Sequence, residues 1–160
     1  MIYLILLISF FLDVIVSFVF NNNILFNSLF SLMSLIIVFK YYKRREDLKY
    51  LITVFIVGLL MDIIYTDTLF LNAGIYLIVG IVVIKYYKFF TYNLLNSVIL
   101  SFIVIVLYRL LNFLVLSNIG EININFYKLI ESIYSSLLLN LIYISCFFLK
   151  RNKYKKYLEA

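Results

Sequence analysis

The sequence predicts an all-α integral membrane protein built as one bundle of six transmembrane helices with both termini in the cytoplasm. Three observations carry that expectation. The 160 residues are 66% hydrophobic with neither proline nor tryptophan, and the mean hydropathy is +1.09, far outside the range of soluble domains of this length. The apolar runs are continuous and do not alternate, which favours helices over the strands of a barrel. Basic residues fall in every second polar break, as retention of Lys and Arg on the cytoplasmic side requires.

Polar breaks divide the chain into spans at about 2–20, 24–41, 48–65, 69–87, 94–116 and 129–149, forming a single transmembrane domain over 1–160. The first run lacks the basic n-region and small-residue cleavage site of a signal peptide and reads as a retained span. Asn22 and Asn23 precede the second span. Thr66, Asp67 and Thr68 precede the fourth, Asn93 the fifth, and Asn118 and Gly120 follow it, all residue types that start or stop helices. Short connections make consecutive helices antiparallel neighbours.

Lys40, Lys43, Arg44, Arg45 and Lys49 lie in the second break, Lys85 and Lys88 in the fourth, and Lys150, Arg151, Lys153, Lys155 and Lys156 in the tail. With six spans these segments share one face, and the opposite face carries only Lys128. The net charge of +6 therefore reads as topology and attraction to anionic lipid at the cytoplasmic face, not as a nucleic-acid surface. The segments "IIVFKYYK" (36–43) and "IVVIKYYK" (81–88) both close a span at that face. Convergence explains them more simply than duplication, since tyrosine and lysine suit the headgroup level.

Without histidine, and with Cys146 the single cysteine, the sequence offers no zinc cluster, internal disulfide or Cys/His nucleophile pair. No catalytic residue, cofactor or metal site is expected. Four ionisable residues lie within the spans: Asp13, Asp62, Arg109 and Glu131. Counting 1.5 Å per residue along alternating helices places all four in the outer half of the bilayer. An intramembrane charge faces the bundle interior, pairs or snorkels. The sequence thus points to an Arg109–Asp13 pair with Asp62 or Glu131 as a second carboxylate, snorkelling being the alternative for the last two.

Each span also carries a mildly polar stripe at helical spacing. The stripes are Ser9, Asp13 and Ser17; Asn27, Ser31 and Ser34; Gly58 and Asp62; Asn72, Tyr76 and Gly80; Ser101, Tyr108 and Asn112 beside Arg109; and Ser132, Ser136, Asn140 and Tyr143. Such stripes pack helices together by hydrogen bonding across contacts, or line a small-molecule pocket.

Within "EDLKYLITVFIVGLLMDIIYTDTLFLNAGIYLIVG" (46–80) the order is Gly-x-x-x-Asp, a polar break, then Leu-Asn-Ala-Gly and a tyrosine-bearing helix. This order resembles the rod shape-determining protein MreD family. The matching positions are Gly58, Asp62, Asn72, Ala73 and Gly74, with Asn140 of "SLLLNLIY" (136–143) a further match. The chain departs from the family pattern in having no proline early in the second span and in placing Asp13 in the first.

The resemblance implies a non-enzymatic scaffold or regulator in the bacterial plasma membrane. It would belong to the elongation complex that builds side-wall peptidoglycan, binding MreC and working with MreB, RodA and a penicillin-binding transpeptidase. Its fold would resemble the S component of energy-coupling-factor transporters, and a vitamin-binding S component is the alternative function. The Ala-x-x-x-Ala surface common on the first helix of S components is missing, because the only alanines are Ala73 and Ala160. A membrane protein without a dedicated partner is the third reading.

Overall fold

The computed structural model describes residues 2–19, 29–42, 46–65, 70–119 and 126–158. Helices α1 (Ile2–Val19), α2 (Phe30–Phe39), α3 (Asp47–Tyr65), α4 (Leu71–Phe89), α5 (Leu94–Ile119) and α6 (Phe126–Leu158) follow in order, with no strand among the described residues. The segments Leu71–Phe89, Leu94–Asn118 and Phe126–Phe148 are long and apolar enough to cross a membrane.

Large apolar side chains lie on the outside of the fold as well as in its core. Leu4, Phe11, Phe18, Leu48, Ile63 and Leu138 point outward, each more than half exposed. Ser9, Asp13, Ser34, Asp62, Asn72 and Asn140 are buried. Exposed apolar side chains around a partly polar interior fit a lipid surround, where polar groups gain by meeting each other.

The second helix differs most from expectation. It begins at Phe30 rather than near residue 24, Leu29 forming a non-helical cap (φ −116°), and at 10 residues it is about 15 Å long, half a bilayer core. Every residue from Phe30 to Val38 is buried, because α2 runs through the middle of the bundle and touches all five other helices. A helix apolar all round, such as "FSLMSLIIVF", is suited to that place.

Two pairings organise the rest: α1 packs on α2 and α3 on α4, while α5 lies between α4 and α6. Asn93 caps α5, its side-chain oxygen accepting the N–H of Asn96 at 2.9 Å. Asn118 lies in the last turn of α5, its amide donating to the Leu114 carbonyl at 2.9 Å. The sixth helix continues through the basic tail to Leu158 instead of stopping near residue 149. The other expected boundary residues, Asn22, Asn23, Thr66, Asp67, Thr68 and Gly120, lie outside the described residues.

At the end of the bundle formed by the end of α2, the start of α3 and the end of α4, a group of tyrosines closes the core. Phe39 stacks on Tyr87 (centroids 5.4 Å apart) and meets Tyr50 edge-on at 5.0 Å. Tyr87 also contacts Tyr92 at 5.0 Å. The hydroxyls find partners: Tyr42 with Thr53 Oγ1 and Tyr87 with Ser97 Oγ, both at 2.7 Å, and Tyr92 donates to the Ile37 carbonyl at 3.1 Å. One tyrosine of each KYYK segment, Tyr42 and Tyr87, therefore turns into the fold rather than serving only the headgroup level.

Candidate functional site

The residues of the Gly-x-x-x-Asp and Asn-Ala-Gly segments meet where α3 passes the start of α4. Both oxygens of the Asp62 carboxylate accept backbone N–H groups, Asn72 at 2.8 Å and Ala73 at 3.0 Å. A helix start leaves its first N–H groups without internal partners, and a carboxylate there gains two charge-assisted hydrogen bonds and a favourable place at the positive end of the helix dipole. Phe70, just before α4, takes a left-handed conformation (φ 68°) and contributes no side-chain cap. Asp62 supplies the cap from another helix.

Gly58 makes that approach possible. A Cβ at this position would stand 2.6 Å from the Ala73 Cα and 3.1 Å from the Asn72 carbonyl oxygen, so any side chain would push α4 away from the carboxylate one turn further along α3. Gly74 has a different status: a Cβ there would meet nothing within 4 Å. Of the two motif glycines, only Gly58 is required by close packing.

The same device recurs between α1 and α2. Asp13 accepts the N–H of Phe30 at 2.9 Å and of Ser31 at 2.7 Å. Asp13 and Asp62 are 2% and 1% exposed, a degree of burial a carboxylate tolerates only when hydrogen-bonded or paired. Two helix starts thus lie inside the bundle, each closed by an aspartate from the preceding helix.

Polar contacts connect the two caps. Ser31 Oγ lies 3.0 Å from Tyr76 Oη, the Tyr76 and Tyr108 rings meet edge-on at 5.9 Å, and Tyr108 donates to Asn72 Oδ1 at 2.8 Å. The Tyr108 hydroxyl is within electrostatic reach of Arg109, Asp13 and Asp62, and Arg109 is itself buried. Of the four charges named from the sequence, Asp13, Asp62 and Arg109 therefore occupy the interior of one region, whereas Glu131 is exposed on α6. The sequence points to Arg109 as the partner of Asp13; the fold in addition brings to Asp13 the start of α2.

The remaining stripe residues divide between this region and α6. Ser132, Ser136 and Asn140 are buried, Asn140 donating to the Ser136 carbonyl at 2.6 Å, while its Oδ1 has no hydrogen-bond partner among the described residues. Because α6 packs chiefly on α5 and α2, Asn140 stands apart from the α3–α4 junction. Ser9 ties α1 to α6 through Tyr143 Oη at 2.7 Å. Asn27 and the Ser17 side chain lie outside the described residues.

Sequence reasoning missed the capping role of Asp13 because the acceptor comes from another helix, and Leu29, the residue before Phe30, offers no side-chain cap of its own. It also missed the cross-helix Tyr108–Asn72 bond. No three His, Cys, Asp or Glu side chains gather as metal ligands among the described residues. Each of the two carboxylates accepts two backbone N–H groups and so holds a helix start in place. Comparison with protein-family models, curated proteins and solved structures finds no match.

Proposed function

We propose that this protein is an MreD-like scaffold of the bacterial plasma membrane, a six-span bundle with cytoplasmic termini that binds an MreC-type partner during side-wall peptidoglycan synthesis. The supporting observation is that Gly58, Asp62, Asn72 and Ala73, the residues that carry the resemblance, form one packed corner in which each has a definite role. In this reading the corner acts by its shape. Asp62 is buried and spoken for by α4, so a partner meets the apolar side chains around it: Ile63, Ile64 and Phe70 are 71%, 52% and 61% exposed. The protein catalyses nothing of its own; MreB, RodA and a penicillin-binding transpeptidase belong to the wider complex.

The test is co-purification with the MreC protein of the same cell. Replacing Ile63 and Phe70 together by serine, which leaves the Asp62 cap in place, is expected to lower recovery of the complex, and Asp62→Leu to lower it by displacing α4. Unchanged recovery with both variants would overturn the reading. Depletion of the protein should round the cells; normal width with impaired uptake of a vitamin would favour the transport alternative instead.

A further inference from the structure

Helices α1 and α3 are each packed on the helix that follows them, and between them runs a lateral groove of about 700 Å³. Phe10, Ile56 and Leu60 line its length, and Tyr42, Lys49 and Thr53 its end beside the start of α3. The groove is open to its surroundings, since Ile56 and Leu60 are 50% and 44% exposed. Its character is uneven: hydrocarbon along the body, polar and cationic at one end.

Its two ends decide what can lie in it: an apolar body with a cation at one end is the complement of an anionic amphiphile, whose hydrocarbon chain lies along Phe10, Ile56 and Leu60 while its headgroup reaches Lys49. At the polar end Tyr42 Oη donates to Thr53 Oγ1 at 2.7 Å and Thr53 Oγ1 to the Lys49 carbonyl at 3.0 Å, so the group left to meet a phosphate is the Lys49 ammonium. Among the described residues the Lys49 ammonium there is held only by Glu46 at 3.1 Å, its side chain 71% exposed, and such a surface pair is weak enough for a phosphate to displace.

We propose that this groove holds one acyl chain of an anionic phospholipid from the surrounding bilayer, with its phosphate on Lys49 beside Tyr42 and Thr53. The bound lipid fills the space between α1 and α3. The inference rests on the chain lying in a bilayer and not on any protein partner, so its failure would leave the scaffold reading untouched.

Phosphatidylglycerol carrying a photoreactive diazirine near its chain end provides the test, with phosphatidylcholine carrying the same chain as comparison. Labelling is expected on peptides containing Phe10 and Ile56 in excess of those containing Phe102 and Ile103, which are also exposed, at 51% and 39%. Native mass spectrometry should show phosphatidylglycerol retained over phosphatidylcholine. Lys49→Glu should reduce that retention about fivefold or more, the factor that one basic residue supplies at an anionic lipid surface. Ile56→Trp, which fills the groove from an exposed position, should remove the labelling at Phe10, whereas Lys128→Glu should change nothing. Labelling spread in proportion to exposure, or equal retention of the two lipids with native protein and Lys49→Glu, would overturn the proposal, with circular dichroism establishing that each variant is folded.

Discussion

Replacing Asp62 by leucine removes both acceptors from the first turn of α4 and leaves the N–H groups of Asn72 and Ala73 in an interior where the replaced residue was 1% exposed. Each buried donor left unsatisfied costs about 1–3 kcal/mol; two give about 2–6 kcal/mol. Reference states inside micelles also find partners for polar groups, which pulls the expectation toward the lower end, to about 3 kcal/mol. Asp62→Asn retains one acceptor oxygen but turns an amide donor toward a backbone donor, so about half of the loss or more should persist. The assay is reversible unfolding in mixed micelles by titration with a denaturing detergent, followed by circular dichroism. A loss below about 0.5 kcal/mol for Asp62→Leu, the scatter expected of ordinary surface substitutions, would refute the capping role assigned to this carboxylate.

The other expectations use the same assay. Gly58→Ala places a methyl 2.6 Å from the Ala73 backbone and should cost about 1–3 kcal/mol as α4 is forced outward. Gly74→Ala, with open space around it, should be neutral or stabilise by about 0.5–1 kcal/mol through helix propensity; a larger penalty at Gly74 than at Gly58 would contradict the packing. Asp13→Leu should destabilise on the scale of Asp62→Leu, because it orphans the N–H groups of Phe30 and Ser31. Tyr108→Phe removes the donor to Asn72 Oδ1 and should cost about 1 kcal/mol, whereas Asp47→Ala breaks only the partly exposed pair with Lys88 and should stay within about 1 kcal/mol.

Hydropathy alone carries the all-helical class, and helical spacing carries the inward direction of the polar stripes: Ser9, Asp13, Ser31, Asp62, Asn72 and Ser136 are all buried. Composition serves here because burial in lipid selects side chains residue by residue, leaving a signal any window can read. The Gly58–Asp62 spacing was legible for a similar reason, as one helical turn separates a position that admits a backbone from one that can bond it. Helix ends were not. The run from Ile24 through Phe39 is apolar without interruption by charge, yet α2 starts at Phe30.

That start depends on Asp13, 17 residues earlier, reaching across from another helix to satisfy donors that lipid could not. Membership of helices, their polar faces and the acidic residues that would need a buried partner were written in the order of side chains. Which donors those caps would meet, that Glu131 would face outward, and that α2 would become the short axis of the bundle were decided only when the helices packed. The reason is physical: a buried carboxylate needs company but does not specify from which element that company comes, and only the three-dimensional arrangement brings the first N–H groups of a helix within hydrogen-bonding distance.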